Sequence, residues 1–212
     1  ARCLPALEVA GDFFDIIPLS EDKVCLVMGD VCGKGIPAAL YMARVISYFR
    51  GVAHVTRSAD KLMASVNELL AAEWTDRTFV TACLAVLDRR RGVVTVTSAG
   101  HHPPYLIPAA TGRPEPVNTE GGLPLGVEAD VTFGLCEVTL ASEDCMMLYT
   151  DGITEAKNLH DETFGEARLE AALRGDRGSA DYVAEKVINA VAEFAQGRAQ
   201  SDDQTVVVIR KN

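Results

Sequence analysis

The chain has 212 residues, of which 48% are hydrophobic and 24% charged, and this composition excludes disordered, collagen-like and low-complexity proteins. Its 20 Lys and Arg against 30 Asp and Glu give a net charge of −10, which disfavours general nucleic-acid binding and docking on anionic membranes. No apolar run approaches the about 18 residues that span a bilayer. The first residues form neither a signal peptide nor an initiator Met start, so we expect a domain cut from a longer protein with an upstream sensor or regulatory region.

The first half of the chain predicts two strands, two helices and two more strands. The strand-like runs are "ALEVAGDFFDIIPL" and "DKVCLVMGDVC". The first helix, "GKGIPAALYMARVISYFRGVA", has Pro37 in its first turn, and the second, "SADKLMASVNELLAAEW", has Ser58 as its N-cap. "TFVTACLAVLD" and "GVVTVTSAG" then alternate as a hairpin, whose tip "RRRG" we interpret as a solvated turn rather than a nucleic-acid patch.

The second half predicts a loop rich in Pro and Gly from Pro103 to Gly126 that contains one short strand, "YLIPA". Two strands follow, "VTFGLCEVTL" and "DCMMLYTDG", then helices near 166–173 and 180–194 and a last strand, "QTVVVIRK". Strands in clusters with helices inserted in pairs favour a mostly antiparallel α+β domain over a doubly wound parallel sheet. We expect residues 1–212 to form one domain.

The six cysteines form no C-x-x-C pair, and most lie inside apolar runs such as "KVCLVMGD". We therefore expect buried, reduced thiols in a cytoplasmic domain, which a membrane sensor could tether in the full-length protein, rather than disulfides or a zinc site.

Acidic residues recur at or near the ends of strand-like runs, beside glycines: Asp12 in "VAGDFFD", Asp30 in "VMGDVCGKG", Asp151 in "MLYTDGITEA", and Asp202 and Asp203 in "SDDQTVVVI". Any one of them alone is typical of a turn. Carboxylates gathered in one cleft raise one another's pKa values, and bound Mg²⁺ or Mn²⁺ removes that penalty. The recurrence favours a two-metal site for hydrolysis of a phosphate ester, although spacing alone does not prove that the side chains meet.

Strand geometry restricts which of these carboxylates can share a metal. Side chains three residues apart in a strand point to opposite faces, so Asp12 and Asp15 are not expected to bind the same ion. The same argument separates the neighbours Asp202 and Asp203, one of which is expected to face the site while the other supports it.

Several segments, in this order, resemble the SpoIIE/RsbU-type branch of the PPM metal-dependent serine/threonine phosphatases. "VAGDFFD" is similar to GGDFYD and "GDVCGKG" to GDVSGKG, while "SAGHHPPYL" resembles AGHxPP. "GLPLG", "LYTDGITEAKN" and "DDQTVVVI" follow in the expected order. The resemblance covers essentially the whole chain and implies a four-layer α-β-β-α sandwich of two mainly antiparallel sheets flanked by helix pairs.

The resemblance implies two divalent ions, Mn²⁺ or Mg²⁺. One would be held by Asp12 and Asp30 with the backbone carbonyl of Val31. Asp30 would bridge to the second ion, completed by Asp151 and Asp202, and Asp203 remains an alternative to its neighbour.

The implied reaction is attack of a metal-bridging water on phosphoserine or phosphothreonine, with Asp12, Asp30, Asp151 and Asp202 as the catalytic carboxylates. The implied substrate is a phosphorylated STAS-type anti-sigma-factor antagonist in a bacterial partner-switching pathway. Two alternatives stay open: a catalytically weak module of the same fold that captures its partner, and a phosphatase for small nucleotides. A homodimer is compatible with the sequence.

Two residues near these motifs are weaker candidates. Cys32 stands where this branch has Ser and eukaryotic-type relatives have a His thought to act as an acid, and we interpret it as a packing residue rather than a redox switch. The family motif supports His101 but not His102, and we favour a hydrogen bond that orders the loop over a catalytic role.

Overall fold

The computed structural model describes residues 1–56, 58–72, 78–175 and 178–212. Its strands are β1 Arg2–Leu4, β2 Asp12–Pro18, β3 Lys23–Val31, β4 Val80–Asp88, β5 Val93–Ala99, β6 Tyr105–Ile107, β7 Glu115–Pro116, β8 Cys136–Thr139, β9 Cys145–Tyr149 and β10 Gln204–Arg210. Its helices are α1 Ile36–Ala53, α2 Ala59–Ala72, α3 Asp151–Thr154, α4 Gly165–Leu173 and α5 Ala180–Ala195. Among the described residues, no helix is both long and apolar enough to cross a bilayer.

The elements fall into two compact units. The β3 unit comprises Val9–Pro103 and Val117–Thr139, and the β10 unit comprises Ala1–Glu8, Pro104–Pro116 and Leu140–Asn212. Each unit contains one five-stranded sheet and the helices that cover it.

The sheet of the β3 unit has the strand order β2-β3-β4-β5-β8, and every neighbouring pair is antiparallel. One face of the sheet packs on α1 and α2, where Phe13, Val27 and Leu84 share a buried cluster with Phe49 and Leu62. Because side chains alternate along a strand, the residues next to Phe13, Val27 and Leu84 in their strands point to the opposite face of the sheet. This alternation decides which acidic residues of β2 and β3 lie together.

The sheet of the β10 unit has the order β1-β10-β9-β6-β7 and is also antiparallel. Met147 and Tyr149 of β9 pack with Leu169 of α4 and Val187 of α5. Ser179 is the N-cap of α5, where its side chain accepts a hydrogen bond from the amide of Tyr182. Apolar residues at helical spacing thus cover this sheet as they do the other.

The structure confirms the α+β class with two mainly antiparallel sheets, each flanked by a helix pair. The sequence did not predict β1, β7 or α3, which have only three, two and four residues. Such segments are too short for a hydrophobic period to be recognised. The first predicted strand is also too long, because residues 6–11 precede β2 without strand structure.

The arginines between β4 and β5 form a solvated turn, as predicted. Asp88 Oδ1 accepts hydrogen bonds from the amides of Arg90 and Arg91, and the Arg90 guanidinium pairs with Asp22 at 2.7 Å. The turn is therefore held by its backbone amides, and its three arginines are exposed.

All six cysteines lie in the described part of the chain, and none of them is in a disulfide. Burial raises the pKa of the Cys25 and Cys83 thiols to about 12, so both stay protonated at neutral pH. The packing role predicted for Cys32 is wrong, because this residue is exposed in the loop that follows β3.

Candidate metal centre

Antiparallel pairing of β2 and β3 brings two of the predicted ligands together. Asp12 is the first residue of β2, and its Cα partner across the ladder is Asp30, near the end of β3. Phe13 and Val27 face α1 and α2, so Asp12 and Asp30 lie on the opposite face of the sheet. Two carboxylates eighteen positions apart are thus neighbours because of strand register alone.

The backbone around this pair is tightly packed. The amide of Val31 donates to the carbonyl of Gly11 over 3.4 Å. A Cβ on Gly11 would lie 3.2 Å from the carbonyl oxygen of Val31 and 3.4 Å from Asp30 Oδ1. The oxygens of Asp30 and Val31 therefore lie close together beside a residue without a side chain. Both were predicted to bind the same ion as Asp12.

The other three predicted ligands lie in the β10 unit. Asp151 is the first residue of α3, directly after β9, and Asp202 and Asp203 directly precede β10. Thr150 and Thr205 tie the two segments together, since each donates its amide to an oxygen of the other over 3.1 Å.

Gly152 brings the start of α3 against the backbone of the paired aspartates. A Cβ at this position would lie 1.9 Å from the carbonyl oxygen of Asp203, a distance that no side chain tolerates. The carbonyl carbon of Asp202 is 3.4 Å from the same point. The absence of a side chain at Gly152 is therefore a condition for Asp151 to lie beside this segment.

Asp202 and Asp203 differ in their surroundings. Asp203 is buried, and its Oδ1 accepts a hydrogen bond from the amide of Ala6 over 2.8 Å. Asp202 is half-buried, and its Oδ1 accepts from the amide of Asp203 over 3.0 Å. Each carboxylate thus has one oxygen in a backbone hydrogen bond, and the choice between them as a direct ligand stays a prediction.

Asp15 lies on the helix face of β2, opposite to Asp12, as the alternation of the strand predicts. The guanidinium of Arg50, in the last turn of α1, donates to both of its oxygens over 2.6 and 3.0 Å. The amide of Ile16 adds a third hydrogen bond. The hydrogen bonds from Arg50 hold the pKa of the Asp15 carboxyl below its ordinary value.

Since the pKa of Asp15 is depressed in the folded state, the charged form stabilises the fold, and this contribution is present above the unfolded-state pKa of about 3.9. It is lost as the pH falls through the lower folded-state pKa. We expect Asp15→Asn to lower the urea midpoint by a constant amount at pH 5–7 and by less below about pH 4. Urea titrations of both chains from pH 3 to 7 measure this, with Arg50→Gln as the matched change on the other partner. A difference that is the same at pH 3 and pH 7 would contradict the assignment.

The predicted ligands lie in two sets, one in each unit. In the part of the chain that the structure describes, no three His, Cys, Asp or Glu side chains are grouped so as to hold a metal ion. The set in the β3 unit is Asp12, Asp30 and the carbonyl of Val31; the set in the β10 unit is Asp151, Asp202 and Asp203. All donors in both sets are hard oxygens, which are the ligands that Mg²⁺ and Mn²⁺ prefer. The donor chemistry and the crowded Gly11 position fit such an ion.

His101 makes the loop-ordering contacts that the sequence favoured. Its ring Nδ1 lies 2.9 Å from Thr81 Oγ1, and its amide donates to Ser98 Oγ over 3.1 Å. The sequence did not predict a role for Thr81, because this residue belongs to no recognisable motif. Only the pairing of β3 with β4 shows that it is the Cα partner of Asp30.

A comparison with protein families matches residues 20–212 to the model of Stage II sporulation protein E (SpoIIE). The chain belongs to the SpoIIE family. The resemblance read from the motifs is thereby confirmed at the level of the family.

Two curated relatives are similar to this SpoIIE-family chain. Protein IcfG of Synechocystis sp. is 26% identical over 235 residues, which cover 98% of this chain and 37% of that protein. Phosphoserine phosphatase RsbU of Bacillus subtilis is 24% identical over 157 residues, which cover 74% of this chain and 46% of that protein. The chain therefore spans less than half the length of these relatives.

Solved structures share its fold. The SiaA-PP2C domain of Pseudomonas aeruginosa superposes with a TM-score of 0.86 at 23% identity, over 100% of this chain and 85% of that one. RsbX, solved in complex with magnesium, superposes with a TM-score of 0.71 at 15% identity, over 98% of this chain and 91% of that one. These likenesses confirm the predicted fold class.

Proposed function

We propose that this SpoIIE-family domain is a metal-dependent phosphatase that hydrolyses phosphoserine or phosphothreonine on a protein. The observation that carries the proposal is the register of β2 and β3, which sets Asp12 opposite Asp30 beside the carbonyl of Val31. Paired carboxylates on one sheet face repel each other unless a cation lies between them or protons neutralise them. A hard divalent ion bound by the oxygens of Asp12, Asp30 and Val31 would remove that repulsion.

Asp12, Asp30 and the carbonyl of Val31 would hold one ion. Asp151 and one of Asp202 and Asp203 are the ligands that we expect for a second. The magnesium bound by RsbX supports the choice of ion. When bound, the ions supply positive charge that activates a water and offsets charge on the phosphoryl oxygens. The carboxylates keep that charge in place, and strand pairing fixes the direction of Asp12 and Asp30. With an activated water as the nucleophile, no Cys or Ser nucleophile is required.

The proposed substrate is a phosphorylated STAS-type anti-sigma-factor antagonist in a bacterial partner-switching pathway. The name of RsbU, a phosphoserine phosphatase, supports the reaction. The net charge of −10 supports a protein substrate over a nucleic acid, since a polyanion would be repelled. The proposed location is the cytoplasm, with a sensor region of the same protein as the source of regulation.

Hydrolysis of p-nitrophenyl phosphate and of a phosphorylated STAS protein, with Mn²⁺ and with EDTA, tests the proposal. We expect release of phosphate only with metal, and at least about a 100-fold loss in Asp151→Asn, because each 1.36 kcal/mol of lost charge stabilisation is tenfold in rate. Capture of the phosphoprotein without turnover would favour the binding module. Turnover of nucleotides but not of phosphoprotein would favour the small-molecule phosphatase.

Asp202→Asn and Asp203→Asn decide which of the pair is the direct ligand. Substitution of the direct ligand is expected to lower activity by at least about 100-fold. Substitution of its neighbour is expected to lower activity by about 10- to 100-fold, the range for residues that support a ligand. Calorimetric titration with Mn²⁺ measures the same difference as affinity. Equal small losses in both variants would exclude both residues as direct ligands.

A further inference from the structure

Asp12, Asp30 and a threonine form a row across three strands of the β3 unit. Asp30 is the Cα partner of Asp12 on one side and of Thr81 on the other. Directly opposed residues of antiparallel strands have their Cβ atoms about 4.5–5.5 Å apart and point to the same face. The hydroxyl of Thr81 is therefore on the same face as the two carboxylates, and it lies beside the carboxylate of Asp30.

The imidazole of His101 is in hydrogen-bond contact with that hydroxyl. Nδ1 of His101 lies 2.9 Å from Thr81 Oγ1, and the residue is buried. A threonine hydroxyl has one proton, so the ring decides where that proton points. If Nδ1 donates, the hydroxyl is left to donate to another acceptor, and the Asp30 carboxylate is the adjacent one.

The backbone of His101 is held at both its amide and its carbonyl. Ser98 Oγ accepts from the amide of His101 over 3.1 Å and donates to its carbonyl oxygen over 3.0 Å. Gly100 has φ +65°, and a Cβ there would lie 2.8 Å from Pro124 Cγ. A loop held this firmly is suited to orienting a side chain rather than merely closing a turn.

We propose that His101 and Thr81 are positioning residues: the imidazole holds the Thr81 hydroxyl so that it orients the Asp30 carboxylate for metal binding. This inference rests on the proposed function. Residues that orient a ligand in this way change metal affinity by about 10- to 100-fold.

Calorimetric titration of the purified chain with Mn²⁺ tests the inference without an activity assay. We expect Thr81→Val to weaken binding by about 10-fold or more and Thr81→Ser to restore it, since serine keeps the hydroxyl. The matched control is Thr97→Val in β5 of the same sheet, because Thr97 Oγ1 is buried and has no hydrogen-bond partner among the residues that the structure describes. Its loss is expected to leave Mn²⁺ affinity unchanged.

A double-mutant cycle separates this role from a structural one. If His101 acts through Thr81, Thr81→Val combined with His101→Asn weakens Mn²⁺ binding no further than Thr81→Val alone. Wild-type affinity in a folded Thr81→Val chain, or full additivity of the two changes, would overturn the inference while the metal site stands. Failure of the unchanged chain to bind Mn²⁺ would overturn the proposed function and the inference together. Should Thr81→Val not fold, wild-type affinity in His101→Asn overturns the inference and weakened affinity supports it.

Discussion

Asp12→Asn is expected to lower the metal-dependent hydrolysis of a phosphorylated substrate strongly while leaving the fold intact. Asparagine keeps the size of the side chain and one acceptor oxygen but removes the charge that a divalent ion requires. Metal ions contribute several kcal/mol of transition-state stabilisation, so we expect kcat/KM to fall at least about 100-fold. Initial rates over a range of Mn²⁺ concentrations measure the loss and show whether added metal restores activity.

The matched control is Asp15→Asn, three residues further along the same strand. It removes the same charge from β2, but on the helix face, where Asp15 pairs with Arg50. We expect activity close to that of the unchanged chain, with a lower urea midpoint. Similar losses of activity in both variants would mean that net negative charge on β2, rather than a ligand at Asp12, supports the reaction.

The contrast between Asp12 and Asp15 was predictable from the sequence because both lie within one regular strand. The period of two assigns them to opposite faces without any tertiary information. The segment "VAGDFFD" contains the whole argument, and the bidentate contact of Arg50 with Asp15 agrees with it.

The same rule could not decide between Asp202 and Asp203. β10 begins at Gln204, so the two aspartates lie before the regular strand, where alternation does not fix side-chain direction. The carboxylate of Asp203 accepts a hydrogen bond from the amide of Ala6, which is almost two hundred positions away in the chain. A contact of that range leaves no local pattern in the sequence.

Thr81 shows a second limit of the sequence. It lies within the predicted strand "TFVTACLAVLD", but its importance depends on being opposite Asp30, and a change of register by one residue would send it to the other face. The motif around His101 marked that residue, whereas its partner could be found only once β3 and β4 were paired. Cys32 was misjudged for a related reason, since burial in a loop cannot be inferred from hydrophobic neighbours.

Gly152→Ala is expected to destabilise the chain by about 3 kcal/mol or more, above the usual range for an added methyl group. The new Cβ would lie 1.9 Å from the carbonyl oxygen of Asp203. That oxygen belongs to the backbone, so no rotamer change relieves the clash, and either α3 or the segment before β10 must move. Because Asp151, Asp202 and Asp203 lie on these segments, we expect weaker Mn²⁺ binding as well. Urea unfolding without metal and calorimetric titration below the unfolding midpoint measure the two effects separately.

Gly51→Ala is the matched control, because it adds the same methyl group inside α1. Apart from the adjoining backbone of the helix, no atom in the described part of the chain lies within 4 Å of the new Cβ. Alanine is favoured over glycine in a helix by about 0.5–1 kcal/mol, so this variant is expected to be more stable than the unchanged chain. If Gly51→Ala raises the stability and Gly152→Ala lowers it, the lower stability of Gly152→Ala is due to the close approach of the Asp203 backbone. A Gly152→Ala chain that unfolds at the same urea concentration as the unchanged chain would mean that α3 and residues 202–203 are not packed together. The proposed placement of Asp151 beside Asp202 and Asp203 would then be wrong.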